Sequence, residues 1–286
     1  MTTDNEKPLV SIGVFLRNEG QFIRQSLESL QAQEYENLEI TISDNCSTDD
    51  TGTICRELGE DDPRVRYERQ DSNIGAAANS IRVLELANGK YFMWASGHDL
   101  WSPNLVSICV AALEEHPDAA LAYSSSSWIG ADGQPMDKES GWYDTRGMDP
   151  KVRFLMAFWG NLHPVLGLIR TEYFKDIPKL HACVGSDQII LAELALRGDF
   201  LHVPDASWAR REPRGKEVHK DKIKRYTSAE FGLTDSWLDR RLPLLRLPLE
   251  LVRAVFRSQL SVIDKLAVFI TLLPSFIVRY LAGRKS

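Results

Sequence analysis

Tyr91-Phe92-Met93-Trp94-Ala95-Ser96-Gly97-His98-Asp99-Leu100-Trp101 begins as an apolar run and ends in a polar tip carrying one carboxylate. The run reads as a buried strand. In an open α/β sheet, ligands bind at the carboxyl ends of the strands. A carboxylate there is a hard oxygen ligand, suited to holding Mg²⁺ or Mn²⁺ against a diphosphate. The competing reading makes Asp99 a loop residue that caps a helix starting near Asn104.

The flanking segments supply the sheet. Residues 9–16 read as a first strand, and residues 22–33 place Phe22, Ile23, Leu27 and Leu30 at helical spacing. Residues 38–43 form a second strand, and residues 49–58 a helix capped by Asp49 or Asp50. Residues 65–68 are a short third strand. Residues 74–87 are helical and stop at Asn88-Gly89. After the strand at 91–95 come a helix at 105–115 and a fifth strand at 119–124. This alternation predicts an α/β fold: a mostly parallel, Rossmann-like sheet flanked by helices, with right-handed crossovers. Beyond Ser127 the pattern loosens. Helices are expected at 150–159 and 188–196, the second opened by Gly185-Ser186-Asp187. A basic, glycine-containing loop is expected from Arg210 to Lys216, and such a loop is mobile.

The loops after the strands are polar. They read Arg17-Asn18-Glu19, Asp44-Asn45-Cys46-Ser47-Thr48-Asp49, Asp71-Ser72-Asn73-Ile74-Gly75 and Gly97-His98-Asp99. Four such loops at one edge argue for a ligand site more strongly than any one alone. No GxGxxG follows the first strand, so this is not a dinucleotide fingerprint.

A chain of 286 residues suffices for one large domain or a domain plus an appendage. Cys46, Cys55, Cys109 and Cys183 are scattered without a CxxC pair and read as reduced, which fits a cytoplasmic protein. Residues 1–7 have no apolar core and do not read as a signal peptide. The net charge of −6 conceals an asymmetry: residues 210–286 carry 17 Lys and Arg against 8 Asp and Glu. Within that segment, residues 266–278 are uncharged and mostly apolar. The stretch is too short for an unaided span, which needs roughly 20 apolar residues. Arg240, Arg241, Arg246, Arg253, Arg257 and Lys265 precede it, and Arg279, Arg284 and Lys285 follow. Apolar segments flanked by cations suit a helix lying in the headgroup region of an anionic membrane. A basic helical extension is therefore expected at 216–286, with residues 242–286 in peripheral contact with the inner face of the cell membrane. Nucleic acid is the less favoured anionic partner. Truncation before Leu242 is expected to give a more soluble protein. The alternative is an appendage packed on the main domain or on a second copy, and the oligomeric state stays open.

The ordered set Val10-Ser11-Ile12-Gly13-Val14, Asn18-Glu19, Leu30-Gln31-Ala32-Gln33, Ser43-Asp44-Asn45-Cys46-Ser47-Thr48-Asp49, Asn73-Ile74-Gly75 and His98-Asp99 resembles the family 2 glycosyltransferases of the GT-A fold. The resemblance runs over about residues 9–211. It implies a GT-A catalytic domain at 1–215 that transfers one sugar, with inversion, from a nucleotide-diphosphate donor. A UDP-sugar donor and a divalent cation, Mn²⁺ or Mg²⁺, are expected. The implied acceptor is a glycan or polyprenyl-linked chain in surface polysaccharide synthesis. Asp99 matches the metal-binding acid that ends the family's Asp-x-Asp-type motif, although Gly97 and His98 stand where acids are common. Asp44 and Asn45 match the pair that recognises the base, each with an oxygen for a ring N–H. Phe15 and Arg17 fall where the first strand meets the nucleotide. Asn18, Glu19, Asn73, Gly75, Asn79 and His98 complete the implied donor site. Asp187 matches the general base that takes the acceptor hydroxyl's proton. Arg210 and Arg211 match a basic loop that in relatives closes over the diphosphate. The Gln-x-x-Arg-Trp motif of processive synthases is absent, which favours single-sugar transfer.

Plainer readings stand beside these. Asp44 and Asn45 suit a turn that bonds its own backbone, with Ser47 and Asp49 capping the next helix. Asp187 suits a helix cap. His116, His181 and His202 read as ordinary surface or core histidines, whereas His163, before Pro164, is able to approach the metal. Trp94, Trp101, Trp159 and Trp208 read as packing, with one available to stack on an acceptor sugar. A sugar-phosphate nucleotidylyltransferase would need a glycine-rich basic phosphate loop that residues 11–19 lack. A member that binds nucleotide or glycan without turnover is kept in view by His98.

Overall fold

The computed structural model describes residues 7–138, 140–175, 177, 185–213 and 245–282. The expected boundary between residues 215 and 216 lies outside these, as do His181, Cys183, Arg240 and Arg241.

The first half alternates β1 (Val10–Leu16), α1 (Ile23–Gln31), β2 (Leu38–Asp44), α2 (Thr51–Glu60), β3 (Val65–Arg69), α3 (Ala76–Glu85) and β4 (Tyr91–Ala95). Every bound lies within two residues of its sequence expectation. The second half contains β5 (Leu100–Trp101), α4 (Leu105–Glu115), β6 (Ala119–Ile129), α5 (Pro150–Trp159), β7 (Leu168–Arg170), α6 (Glu172–Lys175), α7 (Ser186–Ala195) and β8 (Asp199–Arg211). Helices α8 (Arg246–Arg257) and α9 (Val262–Ala282) follow. The strands form one sheet in the order β3-β2-β1-β4-β7-β6-β8-β5. β1 to β4 are mutually parallel, and β6 is parallel to β8. β7 is antiparallel to both β4 and β6. Two reversals restore direction, so the carboxyl ends of β1 to β4, β6 and β8 share one edge.

β4 reads as a continuous apolar run because both its faces are covered. Tyr91, Met93 and Ala95 join the cluster built with α1, α2 and α4, whereas Phe92 and Trp94 join the cluster on the opposite face. Cys55 and Cys109 are buried and free, and burial pushes each thiol up to about 12.

Two expectations are corrected here. β6 continues five residues past Ser124, through a serine run with little strand preference of its own. Its partner β8 supplies the pairing. β8 itself runs through Pro204, because the register there steps from Ser124 opposite Val203 to Ser125 opposite Ser207. Residues 204–206 bulge out of the ladder, where a proline costs no hydrogen bond. Arg210 and Arg211 thus end a strand and do not belong to a mobile loop.

α8 and α9 are tied to the main body. Leu247, Leu251, Val255, Val268 and Leu272 share a buried cluster with Phe154 and Phe158 of α5 and Ala192 of α7. Each such side chain contributes about 1.5–3 kcal/mol on burial. Glu193 of α7, almost wholly buried, pairs with Arg197 and with Arg257 of α8. Removing these helices would uncover Phe154 and Phe158, so the structure opposes the expectation of a more soluble truncated protein. The outer face of α9 exposes Val262, Ile263, Leu266, Ile270, Leu273, Ile277 and Val278. No helix among the described residues is long and apolar enough to cross a membrane.

Candidate functional site

Two groups of side chains face each other along the shared edge. The first is built on the loops after β1, β2 and β3. Asn18, in a left-handed conformation (φ 55°), donates its N–H to Ser47 Oγ and accepts at its side-chain oxygen from Thr48 N. Glu19 N donates to Thr51 Oγ1, and Gly20 N to Asp49 Oδ2. These bonds join the first two loops into one surface. Asp44 is fully buried. Its Oδ1 accepts from Ser47 N (2.8 Å), and its Oδ2 accepts from Tyr67 Oη (2.7 Å) and Arg69 Nη1 (3.2 Å). Asn45 donates to Asn73 Oδ1 and accepts from Ile74 N. Asn73 Oδ1 also receives Gly75 N, at the start of α3. Asn79 and Ser43 bond each other reciprocally in the floor. The turn reading of Asp44 is therefore realised, and Asp49 supplies the bond to Thr51 N at the start of α2. Phe15 and Arg17 stand half-buried at the end of β1.

The second group surrounds Asp99. Asp99 is buried just before β5, and its Oδ1 accepts from Arg211 N at the end of β8 at 2.8 Å. It does not cap α4, whose first turn follows Asn104 without a side-chain bond. Arg211 is buried as well. Its Nε donates to His98 O (2.8 Å), its Nη2 to Gln25 Oε1 (2.9 Å), and its Nη1 to Gly130 O and Ala131 O. The guanidinium is thereby spent on holding the Asp99 loop against β6 and α1, which separates Arg211 from the diphosphate-clamping partner of Arg210 that the sequence suggested. His98 Nδ1 lies 3.1 Å from Glu19 Oε1, and its Nε2 lies 3.8 Å from Asp99 Oδ1.

Arg210 points to the opposite face of β8. Its guanidinium stacks 4.5 Å from the Trp128 ring centre and 5.9 Å from that of Trp208. Lys138 covers Trp128 at 3.3 Å and pairs with Glu212. His163 Nδ1 lies 3.0 Å from Ser126 Oγ. Burial first, then the charges of Arg210 and Lys138, push His163 down to about 4. A neutral His163 therefore sits beside two cations. Asp187 lies in the first turn of α7, and Gly185, in the left-handed region (φ 86°), is the N-cap. The cap reading of Asp187 is not realised. Among the described residues no hydrogen bond occupies its carboxylate. The side chain reaches solvent, yet surrounding protein raises its pKa above the ordinary carboxylate value by desolvation, with Arg210 opposing.

Among the described residues no three His, Cys, Asp or Glu side chains converge closely enough to hold a metal alone. Asp99 and His98 nonetheless offer an O,N pair. Two bonds of about 2.1 Å to one ion span at most about 4.2 Å, so their 3.8 Å separation admits a shared ion completed by ligand oxygens.

Sequence reading missed Tyr67, Arg69, Gln25, Trp128 and Lys138. Parallel pairing sets Asp44 beside Arg69 and Trp128 beside Arg210. The strand-end register was the available signal for Arg69. None existed for Gln25 or Lys138.

A family model described as Glycosyl transferase family 2 matches residues 11–177. The putative teichuronic acid biosynthesis glycosyltransferase TuaG of Bacillus subtilis (strain 168) is 30% identical over 134 residues, 47% of this chain and 53% of that protein. The putative colanic acid biosynthesis glycosyl transferase WcaA of Escherichia coli (strain K12) is 31% identical over 118 residues, 41% of this chain and 42% of that protein. The chain thus spans about half or less of the length of these relatives. S. aureus TarS 1-349 in complex with UDP superposes with a TM-score of 0.63 at 16% identity, covering 92% of this chain and 70% of that one. The mannosyltransferase PcManGT from Pyrobaculum calidifontis, in complex with GDP-Man and Mn²⁺, gives 0.58 at 17% identity over 98% and 83%. These likenesses show the same fold, a mostly parallel sheet flanked by helices. With the family match covering more than half of its residues, the chain belongs to glycosyl transferase family 2.

Proposed function

We propose that this chain is an inverting glycosyltransferase that moves one sugar from a nucleoside-diphosphate donor, a UDP-sugar, to a glycan or polyprenyl-linked acceptor in surface polysaccharide synthesis. The observation that carries the reading is the convergence of four strand-end loops with Asp99 on one sheet edge, together with Asp187, whose carboxyl is raised by desolvation and makes no hydrogen bond among the described residues. A raised carboxyl is a better proton acceptor near neutral pH than an ordinary one. In the reaction the acceptor hydroxyl oxygen bonds to the anomeric carbon on the face opposite the diphosphate. The carbon–oxygen bond to the diphosphate breaks, its electron pair leaves with the nucleotide, and the hydroxyl proton passes to Asp187. Arg210 supplies fixed positive charge for the diphosphate. The ends of β1 and β2, the loops after β1, β2 and β3 and the start of α3, bearing Phe15, Arg17, Asn18, Asp44, Asn45, Asn73, Gly75 and Asn79, form the wall for the nucleoside. Because Asp44 and Asn45 are engaged by Ser47, Tyr67, Arg69, Asn73 and Ile74, their first part is to fix that wall. A divalent ion held by Asp99 and His98 would neutralise charge on the departing nucleotide.

The exposed apolar face of α9 supports peripheral contact with a membrane surface, and the excess of Lys and Arg over residues 210–286 favours an anionic one. Cosedimentation with phosphatidylglycerol vesicles tests this. Ile263→Ser with Ile270→Ser and Ile277→Ser should abolish it. A wild-type dimer that these substitutions dissociate, without vesicle binding, would assign the face to a second copy.

Titration calorimetry with UDP, GDP and dTDP, with and without Mn²⁺, tests the main reading. Metal-enhanced binding of UDP alone, lost in Asp99→Ala, supports it. Binding of UDP without any transfer from UDP-sugars favours the non-turnover reading that Gly97 and His98 bring into view.

A further inference from the structure

The space at Gly97 is already filled. A Cβ built there would lie 3.0 Å from Glu19 Cγ, 3.1 Å from Glu19 Cβ and 3.3 Å from Leu16 Cβ. The acid missing from position 97 has a counterpart arriving from the β1 loop. Glu19 is also locked at its backbone. Its N–H is held by Thr51 Oγ1, and its carbonyl accepts from Phe22 N and Ile23 N at the start of α1. Its carboxylate therefore reaches His98 from a fixed point, and Oε1 lies 3.1 Å from Nδ1.

The chemistry of that contact fixes the ring. An ionised carboxylate only accepts hydrogen bonds, so Nδ1 carries the proton. In the neutral imidazole, Nε2 is then the lone-pair nitrogen, and it is the atom turned toward Asp99. A histidine that ligates a metal characteristically gives its other N–H to a carboxylate or carbonyl, which fixes its tautomer and raises its basicity. Imidazole binds first-row transition ions, most weakly Mn²⁺, which itself favours oxygen but takes a nitrogen ligand more readily than the harder Mg²⁺.

We propose that Glu19 is a positioning residue for the metal: standing in the space left by Gly97, it holds His98 Nδ1–H so that Nε2 joins Asp99 in a mixed nitrogen–oxygen pair that selects Mn²⁺ over Mg²⁺. This rests on the metal-assisted reading above. Glu19 leaves the nucleoside wall under this assignment and acts through His98.

The test uses the full chain with UDP as the nucleotide probe. Electron paramagnetic resonance measures Mn²⁺ binding, and Mg²⁺ is measured by competition. Nitrogen-15 spectra of the histidines in metal-free protein report the tautomer. The wild type should show Nδ1–H at His98, and nitrogen coupling to bound Mn²⁺ that disappears in His98→Asp. Glu19→Ala should weaken Mn²⁺ binding by about 10- to 100-fold and affect Mg²⁺ far less. Glu19→Gln keeps an acceptor oxygen and should restore most of the Mn²⁺ affinity. His98→Asp should bring the Mn²⁺ and Mg²⁺ affinities together. An Nε2–H tautomer, absence of nitrogen coupling, or equal losses for both ions in Glu19→Ala would overturn the proposal. UDP binding that ignores metal in every protein would also overturn it while leaving the nucleotide reading intact. Failure of UDP to bind at all would fall on that reading instead, and the tautomer would still decide the Glu19–His98 contact.

Discussion

Replacing Arg211 distinguishes a loop clamp from a diphosphate ligand. Its guanidinium makes two short bonds, to His98 O and Gln25 Oε1, and two longer ones near 3.3 and 3.4 Å to Gly130 O and Ala131 O. It also lies 5.0 Å over the Phe22 ring. Each short charge-assisted bond contributes roughly 1.5–2 kcal/mol, since its partner is neutral. The ring contact adds about 0.5 kcal/mol, and the long bonds add little. Arg211→Ala should therefore destabilise the protein by about 3.5–4.5 kcal/mol, a fall in Tm of roughly 7–18 °C for a chain of this size. Arg211→Lys keeps the charge and loses the fork, since one ammonium cannot reach carbonyls on both sides of the loop. It should cost about 2–3 kcal/mol. Urea unfolding followed by circular dichroism gives the stabilities, and UDP titration on the folded variants gives affinity. A Lys variant as stable as wild type, with the Ala variant losing only nucleotide affinity, would refute the clamp and return Arg211 to the diphosphate.

Other outcomes follow from the same contacts. Gly185→Ala places a Cβ 2.9 Å from Leu247 Cδ2 at a φ of 86°, and the two penalties together should cost about 2–4 kcal/mol in urea unfolding; a neutral substitution would mean that α8 yields easily at that point. Asp187→Asn should abolish transfer while leaving UDP binding intact, and in the wild type the acid limb of kcat/KM should lie above the ordinary carboxylate pKa, because only the ionised form accepts the proton; an acid limb near 4 would remove Asp187 from that role. His163 is held down to about 4 from 6.5, so between those values the unfolded chain gains a proton that the folded chain refuses, and stability falls as pH drops through the window. In His163→Gln that component of the pH dependence should vanish from unfolding curves taken between pH 7 and 4.

The first four strands and three helices were legible in the sequence because each strand is covered on its faces by helices with clear apolar spacing. Asp99 was legible for the same reason, as a carboxylate ending an unmistakable buried run. The stretch beyond Ser127 was not. Ser124–Ser127 has no strand preference, β7 has three residues, and β8 carries Pro204 and Asp205 in mid-strand. These segments are strands through their partners, and long-range pairing leaves no local signature. The same holds within the site. Arg210 and Arg211 are adjacent in sequence and look equivalent, but the period-2 alternation of a strand sends them to different neighbours.

That divergence depends on an odd number. Before the bulge, Leu201 and Val203 face the cluster beneath α4; after it, Ala206 and Trp208 do. Three residues inserted into the ladder shift the phase of β8 by half a cycle, and the shift decides which arginine is sequestered behind Asp99 and which shares a face with Trp128. Deleting or adding a single residue within 204–206, absorbed by sliding the rest of β8, would turn each arginine to the other face of the sheet. Lengthening the bulge by two would keep each on its own face. The tolerance of this hairpin-free kink to changes in length should therefore follow parity, not size.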